Sequence, residues 1–235
     1  MGSMIANHHL CKVPCKMTSR MLKRILITAG ATREPIDKVR FISNHSSGKL
    51  GCQLALAGAI AGHEVTLLAG DGSRTPPIHP RLHVHRFTTT KDLEAQLNQH
   101  WPSNNVLIMA AAVADFTPRG GPHDGKLSRK QALSLELVPT QDLVAGLALS
   151  SRKDQMIIAF VLEDSGKLEE TAKNKLQDKG VHAIIANPLG TMHADNITAT
   201  VYCQSGRTFS VPEQISKSAF ATWLFENLHE ICTEA

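Results

Sequence analysis

A chain of 235 residues, 42% hydrophobic and 20% charged, has the make-up of an ordinary globular domain. Its formal charge of +4 is spread along the sequence and aromatic residues are only 4%, so it has neither the basic stripe nor the stacking platforms of a nucleic-acid binder. Its apolar runs fall short of the ~20 residues a membrane helix needs, and residues 1–20 lack the apolar core of a secretory signal. These features predict a cytoplasmic protein with no membrane or nucleic-acid partner. The five cysteines (Cys11, Cys15, Cys52, Cys203 and Cys232) are odd in number and scattered, as reduced thiols would be. His8, His9, Cys11 and Cys15 carry zinc-ligand chemistry, but nothing periodic flanks them and no metal site is assigned. Residues 1–20 are expected to form a flexible tail, and 21–235 a single α/β domain.

Ile25–Thr28 is an apolar run of the kind that makes a buried parallel strand. The small-residue turn Ala29–Thr32 follows, then a loop carrying Arg33, Glu34, Asp37, Lys38 and Arg40. Asn44-His45-Ser46-Ser47-Gly48 reads as the start of a helix over Lys49–Ala61. The unpaired N–H groups of such a helix start form an anion site. Two familiar phosphate motifs fail here. A dinucleotide fingerprint needs three glycines where only Gly30 stands, and a P-loop needs Ser or Thr where Leu50 follows Lys49.

Further on, Glu64–Leu68 predicts a strand and Ala69–Pro80 a loop. Leu82–Phe87 is a strand, Thr90 caps a helix over Lys91–Gln99, and Val106–Ala111 is another buried strand. This order gives a doubly wound, mostly parallel, Rossmann-like sheet, whose ligands lie beyond the carboxyl ends of the strands. The run AAAVADF, Ala110–Phe116, sits at such an end. Asp115 there can accept from an amine or a ribose hydroxyl, or can simply be a helix cap or a surface acid. The Gly- and Lys-rich segment Arg119–Lys130 reads as a loop, mobile when empty, that orders over a phosphate-bearing ligand, or as a plain solvated loop. Strands at Leu133–Val138, Met156–Val161 and Val181–Ala186 alternate with helices at Asp142–Leu149 and Leu168–Lys179. A hairpin (Ile197–Tyr202, Thr208–Val211) and a helix over Glu213–Ile231 close the chain. Lys175 and Lys179 share a helix face, and Glu169 is spaced to pair with Lys173.

The run ITAGATREPIDKVRFISNHSSGKLG, with AAAVADF, Lys126 in GKLSRK, and Lys175 and Lys179, resembles bacterial-type phosphopantothenoylcysteine synthetases. The match spans residue 22 to the end. Ala31 replaces a usual Gly, Gln141 a usual Pro, and Val161 and Leu162 two alanines. The resemblance implies a ligase that joins 4′-phosphopantothenate to cysteine with CTP in coenzyme A synthesis, and a homodimer. Many bacterial members carry a flavin-dependent decarboxylase domain ahead of this one. With the first strand at residue 25, a stand-alone synthetase is expected.

The chemistry requires a carboxylate to attack the α-phosphate of a nucleotide, with pyrophosphate leaving. Mg²⁺ and lysines are the expected stabilisers. The resemblance puts Lys126 at that activation step and Asn44 on the acyl-nucleotide and pantetheine arm. Arg40 would meet the substrate phosphate, and Gly30, Ser46, Gly48 and Gly51 would line the nucleotide phosphates. Met109, Ala110, Ala111, Asp115 and the turn Gln141, Asp142, Leu143 and Val144 would read cytosine and ribose. Phe160 would contact the base, and Lys175 and Lys179 the triphosphate. Two other readings stay open: a nicotinamide-dependent reductase and a non-catalytic nucleotide-binding protein. Against the reductase, no acid ends the strand Glu64–Leu68, Asp71 being the nearest.

Overall fold

The computed structural model describes residues 22–129, 132–192 and 194–233. The expected tail, with His8, His9, Cys11 and Cys15, lies outside the described residues, as does Lys130. The elements are β1 (Arg24–Ala29), β2 (Arg33–Pro35), β3 (Phe41–Ser43), α1 (Lys49–Ile60), β4 (Glu64–Gly70), β5 (Leu82–Phe87), α2 (Thr90–His100), β6 (Val106–Met109), β7 (Phe116–Pro118) and β8 (Leu137–Pro139). There follow α3 (Leu143–Leu149), β9 (Met156–Glu163), α4 (Leu168–Asp178), β10 (Ala183–Pro188), β11 (Asn196–Ile197), β12 (Thr200–Cys203), β13 (Thr208–Ser210), β14 (Ile215–Ser216) and α5 (Lys217–Ile231).

Eight strands form one sheet in the order β13-β12-β10-β9-β6-β1-β4-β5. The six from β10 to β5 run parallel, and β12 and β13 add an antiparallel edge. The expected Rossmann-like class and C-terminal hairpin are therefore present. Alternation along β1 divides the core. Ile25, Ile27 and Ala29 face a layer made by α1 and α5, including Leu54, Phe220 and Leu224. Leu26 faces the opposite layer, with Leu93, Leu97 and Leu147 of α2 and α3 and Ala172 of α4. Strands covered on both faces must be apolar on both, which is why they read as continuous runs rather than alternating ones.

Several predicted boundaries shift, each for a physical reason. The cap of α2 is Thr89, not Thr90: its hydroxyl accepts from Asp92 N at 3.0 Å and Asp92 accepts from Thr89 N at 3.0 Å. Thr90 is diverted to Glu34, donating from both N and Oγ1 at 2.8 Å. Strand β4 runs on to Gly70, so Asp71 follows it directly, with its carboxylate accepting from the Thr88 hydroxyl at 2.5 Å. The segment over Glu213–Ser216 is not helical. Ile215 pairs with Ile197 between β14 and β11, and Ser216 caps α5 by accepting from Ala219 N at 3.1 Å. Ile197 thereby leaves the predicted hairpin, which is Thr200–Cys203 against Thr208–Ser210. The charged loop after β1 is a small hairpin, β2 against β3, and a second one pairs β7 with β8. The predicted ion pair Lys173–Glu169 is present at 2.6 Å.

Candidate functional site: two adjoining clefts at the sheet's switch point

The chain leaves β1 towards β4 and β5 on one side and later fills β6, β9 and β10 on the other, so the strand order reverses between β1 and β6. Such a reversal opens a crevice above the strand ends. Here the two exits are joined along its floor. Ala112 N donates to Gly30 O at 2.7 Å, and Thr32 N donates to Ala112 O at 3.2 Å. Two buried threonines from the first motif fasten the second: Thr28 Oγ1 accepts from Ala111 N at 3.0 Å, and Thr32 Oγ1 from Ala114 N at 2.9 Å. Sequence reading missed both threonines, because their partners lie about eighty residues away.

One cleft, of about 250 Å³, opens on the β6–β9 side. Met109, Ala111 and Asp115 line it from the second motif, and Gln141, Asp142, Leu143 and Val144 from the turn before α3. Phe160, Lys175 and Lys179 complete the predicted set there, and Thr140 joins them unforeseen. Thr140 ties the turn to the motif, donating from N to Asp115 O at 2.9 Å and from Oγ1 to Ala114 O at 2.6 Å. Asp142 caps α3 by accepting from Ala145 N at 3.1 Å, and it pairs with Lys179 at 3.1 Å. Burial pushes the Asp142 carboxyl up, but the Ala145 N–H and the Lys179 ammonium outweigh that and hold it below its ordinary value. The carboxylate of Asp115 is exposed.

The second cleft, of about 350 Å³, lies over the start of α1 and holds Asn44, Ser46, Gly48, Gly51 and Ala110. Ala111 and Phe160 line both clefts, so the two adjoin. Asn44 is fixed at both ends of its amide: Nδ2 donates to Ala112 O at 2.8 Å, and Oδ1 accepts from Ser46 N at 3.2 Å. Helix α1 starts at Gly48 with no side-chain cap and no acid in its first turn, leaving its N–H groups for an anion. The two bulky replacements part company. Val161 is buried in the core, whereas Leu162 lines this cleft.

Gly30, Arg40 and Lys126 line neither cleft. Gly30 sits beneath Gly48, as a floor. Arg40 and Lys126 lie on two loops that are stapled together by a residue to which the sequence reading gave no role. Asp37 is buried; its Oδ1 accepts from Val39 N at 2.8 Å and Arg40 N at 2.7 Å. Its Oδ2 accepts from Leu127 N at 3.0 Å and pairs with the Arg40 guanidinium at 3.2 Å. Arg40 Nη2 also donates to Leu127 O at 3.0 Å, and Lys38 N to Gly125 O at 3.1 Å. The Leu127 N–H, more than any other group, holds the Asp37 carboxyl below its ordinary value, with the Val39 and Arg40 amides adding to it against the effect of burial. The ionised form is therefore the docked form. Its contribution is complete above the ordinary carboxylate range and is lost as pH falls through the depressed value. Asp37→Asn should release the 119–129 loop, seen as faster amide exchange at Leu127. Unchanged exchange at Leu127 would remove the staple.

Residues 21–231 match the model of the DNA/pantothenate metabolism flavoprotein C-terminal domain. The chain belongs to this family. It is 38% identical over 192 residues to the coenzyme A biosynthesis bifunctional protein CoaBC of Escherichia coli K12, covering 77% of this chain and 46% of that one. The chain thus spans about half the length of the curated relatives it matches. Among solved structures it resembles the C-terminal domain of a CoaBC protein, with a TM-score of 0.73 and 31% identity over 89% of this chain and 95% of that one. It also resembles the DNA/pantothenate metabolism flavoprotein from Streptococcus pneumoniae, with a TM-score of 0.78 and 28% identity over 88% and 99% of the two chains.

Proposed function

We propose that the chain is a phosphopantothenate–cysteine ligase. It activates the carboxylate of 4′-phosphopantothenate with CTP to an acyl-cytidylate, releasing pyrophosphate. Cysteine's amine then attacks the acyl carbon, the amide forms and CMP leaves. The observation that carries this reading is the meeting of two clefts at Ala111 and Phe160, inside a domain of the pantothenate-metabolism family. A two-step ligation needs that arrangement, because the carboxylate held in one compartment must reach the α-phosphate held in the other.

In this reading the nucleoside lies in the cleft of Met109, Ala111 and Asp115, with the 141–144 turn and Phe160 around the base. Lys175 and Lys179 attract the triphosphate from the side of α4. The phosphates run towards Gly48 and Ser46 at the start of α1, over the floor made by Gly30 and Gly51. Asn44 holds the acyl-cytidylate and the pantetheine arm, and donates without competing as a nucleophile. Arg40 and Lys126, carried on the stapled loops, reach the substrate phosphate and the reacting phosphoryl oxygens when those loops close.

Among the described residues no group of three or more His, Cys, Asp or Glu could cage a metal. A nucleotide's Mg²⁺ is held mainly by the phosphates, with one or two carboxylates at most, so no such cage is required. Bound with the nucleotide, the ion would neutralise phosphate charge during displacement. Small-molecule substrates, a homodimer and a cytoplasmic setting complete the proposal.

The test is pyrophosphate release with 4′-phosphopantothenate, Mg²⁺ and either CTP or ATP, with and without cysteine. Release with CTP and a cysteine-dependent amide by mass spectrometry are expected. Silence with every nucleotide would overturn the reading. Asn44→Asp should still release pyrophosphate but yield little amide, since a carboxylate repels the charged intermediate and loses the donor that Nδ2 supplies. A normal amide yield would remove Asn44 from its role.

A further inference from the structure

The first residue of α5 is a lysine buried at the positive end of its own helix. Lys217 is only 9% exposed. Both burial and the helix dipole disfavour a cation there. Its ammonium has three protons to donate, yet among the described residues it makes one hydrogen bond, to Thr191 O at 3.3 Å. Lys217 and Thr191 both line the Asn44 cleft. Lys49, the first residue of α1, lines the same cleft and pairs with Asp195. Two helix starts, each bearing a lysine, thus converge on one wall. Asp195 is exposed and already engaged by Lys49, and Arg74 adds positive charge beside it. Burial and then Lys49 lower the Lys217 pKa, against the pull of Asp195. Among the described residues this corner carries more positive than negative charge, with Asp195 shared between Lys49 and Lys217.

Lys217 lines the Asn44 cleft and not the nucleotide cleft. The wall beside it is apolar, with Leu162, Met192 and Ile197. An anionic group next to a small apolar or thiol-bearing side chain suits this corner. We propose that Lys217 and Lys49 form an anion subsite that holds the α-carboxylate of the attacking amino acid, with its side chain against Leu162, Met192 and Ile197. This rests on the ligase reading and supplies the part of it that the sequence motifs leave blank. The carboxylate would dock on Lys217 while the amine faces the acyl carbon held at Asn44.

The test compares Lys217→Met with Lys217→Arg and the parent chain. The KM for cysteine should rise about tenfold or more in Lys217→Met, as expected for loss of a charge-assisted hydrogen bond, with most of the effect restored in Lys217→Arg. The KM for CTP and for 4′-phosphopantothenate should move far less. Preference for cysteine over cysteamine, which lacks the carboxylate, should largely disappear in Lys217→Met. Thermal unfolding should move upwards or stay level in that variant, because a buried charge is exchanged for an apolar chain of similar length. A marked fall in unfolding temperature would instead make the lysine a structural residue. A rise in KM for CTP or phosphopantothenate in place of cysteine would assign the corner to a phosphate and overturn the carboxylate proposal. An unchanged cysteine KM would overturn the subsite. A parent chain that makes no pyrophosphate with any nucleotide would remove the ligase reading and the subsite with it.

Discussion

Lys126→Gln should abolish CTP-dependent pyrophosphate release while leaving the protein as stable as the parent. The two halves of that expectation rest on different observations. Lys126 is exposed and, among the described residues, makes no hydrogen bond or ion pair, so its truncation costs the fold nothing that can be named. Its neighbours, in contrast, are tightly held: Gly125 O accepts from Lys38 N, and Leu127 is bound from both N and O. A free ammonium on a fixed stretch of backbone is what a loop built to deliver charge would carry. Charge accumulates on the phosphoryl oxygens during displacement, and removing one well-aimed donor from such a site costs roughly a hundred- to a thousandfold in rate. Release should therefore fall below detection, and Lys126→Arg should recover some of it. Release at the parent rate would take Lys126 out of the activation step. Asp37→Asn tests the same delivery from behind, because it leaves the ammonium intact and loosens the backbone that presents it.

The sheet was legible because its strands are buried on both faces, and continuous runs such as Ile25–Thr28 and Val106–Met109 announce themselves without any partner. Both motifs lie at the carboxyl ends of their strands, and every residue expected around the nucleoside except Ala110 lines a single cleft. What the sequence concealed has one common character. Thr28, Thr32, Asp37 and Thr140 matter through bonds to backbone atoms in other segments, most of them some eighty to ninety residues away. Residue type and local spacing carry no trace of such partners. The small hairpins β2–β3 and β7–β8 were hidden for a related reason. Each has strands of three residues, too short for a period to show. Lys217 was lost inside a helix drawn four residues too early, since Glu213–Ser216 has helical composition but Ile215–Ser216 is pulled into a strand by Asn196–Ile197.

Gly48→Ala should be strongly damaging, and Ser73→Gly should partly repair it. Gly48 caps α1 with φ +71° and ψ 3°, in the left-handed region that costs other residues roughly 1–3 kcal/mol. Space is lacking as well. A Cβ at Gly48 would lie 2.8 Å from Ser73 Cβ, 2.6 Å from Ser73 Oγ and 3.1 Å from Gly30 N. Rotating the serine moves only its hydroxyl, so the contact with its Cβ persists and the helix start must shift. At Gly30, by comparison, the severe contact is with Ser73 Oγ alone, its Cβ being 3.2 Å away, and rotation relieves it. Overpacking of this kind adds about 1–3 kcal/mol to the backbone strain. Together these terms predict a loss of about 4 kcal/mol, or a fall in melting temperature of roughly 8–16 °C for a chain of this size. Gly48→Ala with Ser73→Gly removes both serine contacts and keeps the strained φ and the approach to Gly30 N. It should therefore recover about half of the loss. The start of α1 would still be displaced in the double variant, so stability should return further than pyrophosphate release. Equal recovery of both would mean that the close seating of Gly48 over Gly30 serves packing alone and not the phosphates it is proposed to hold.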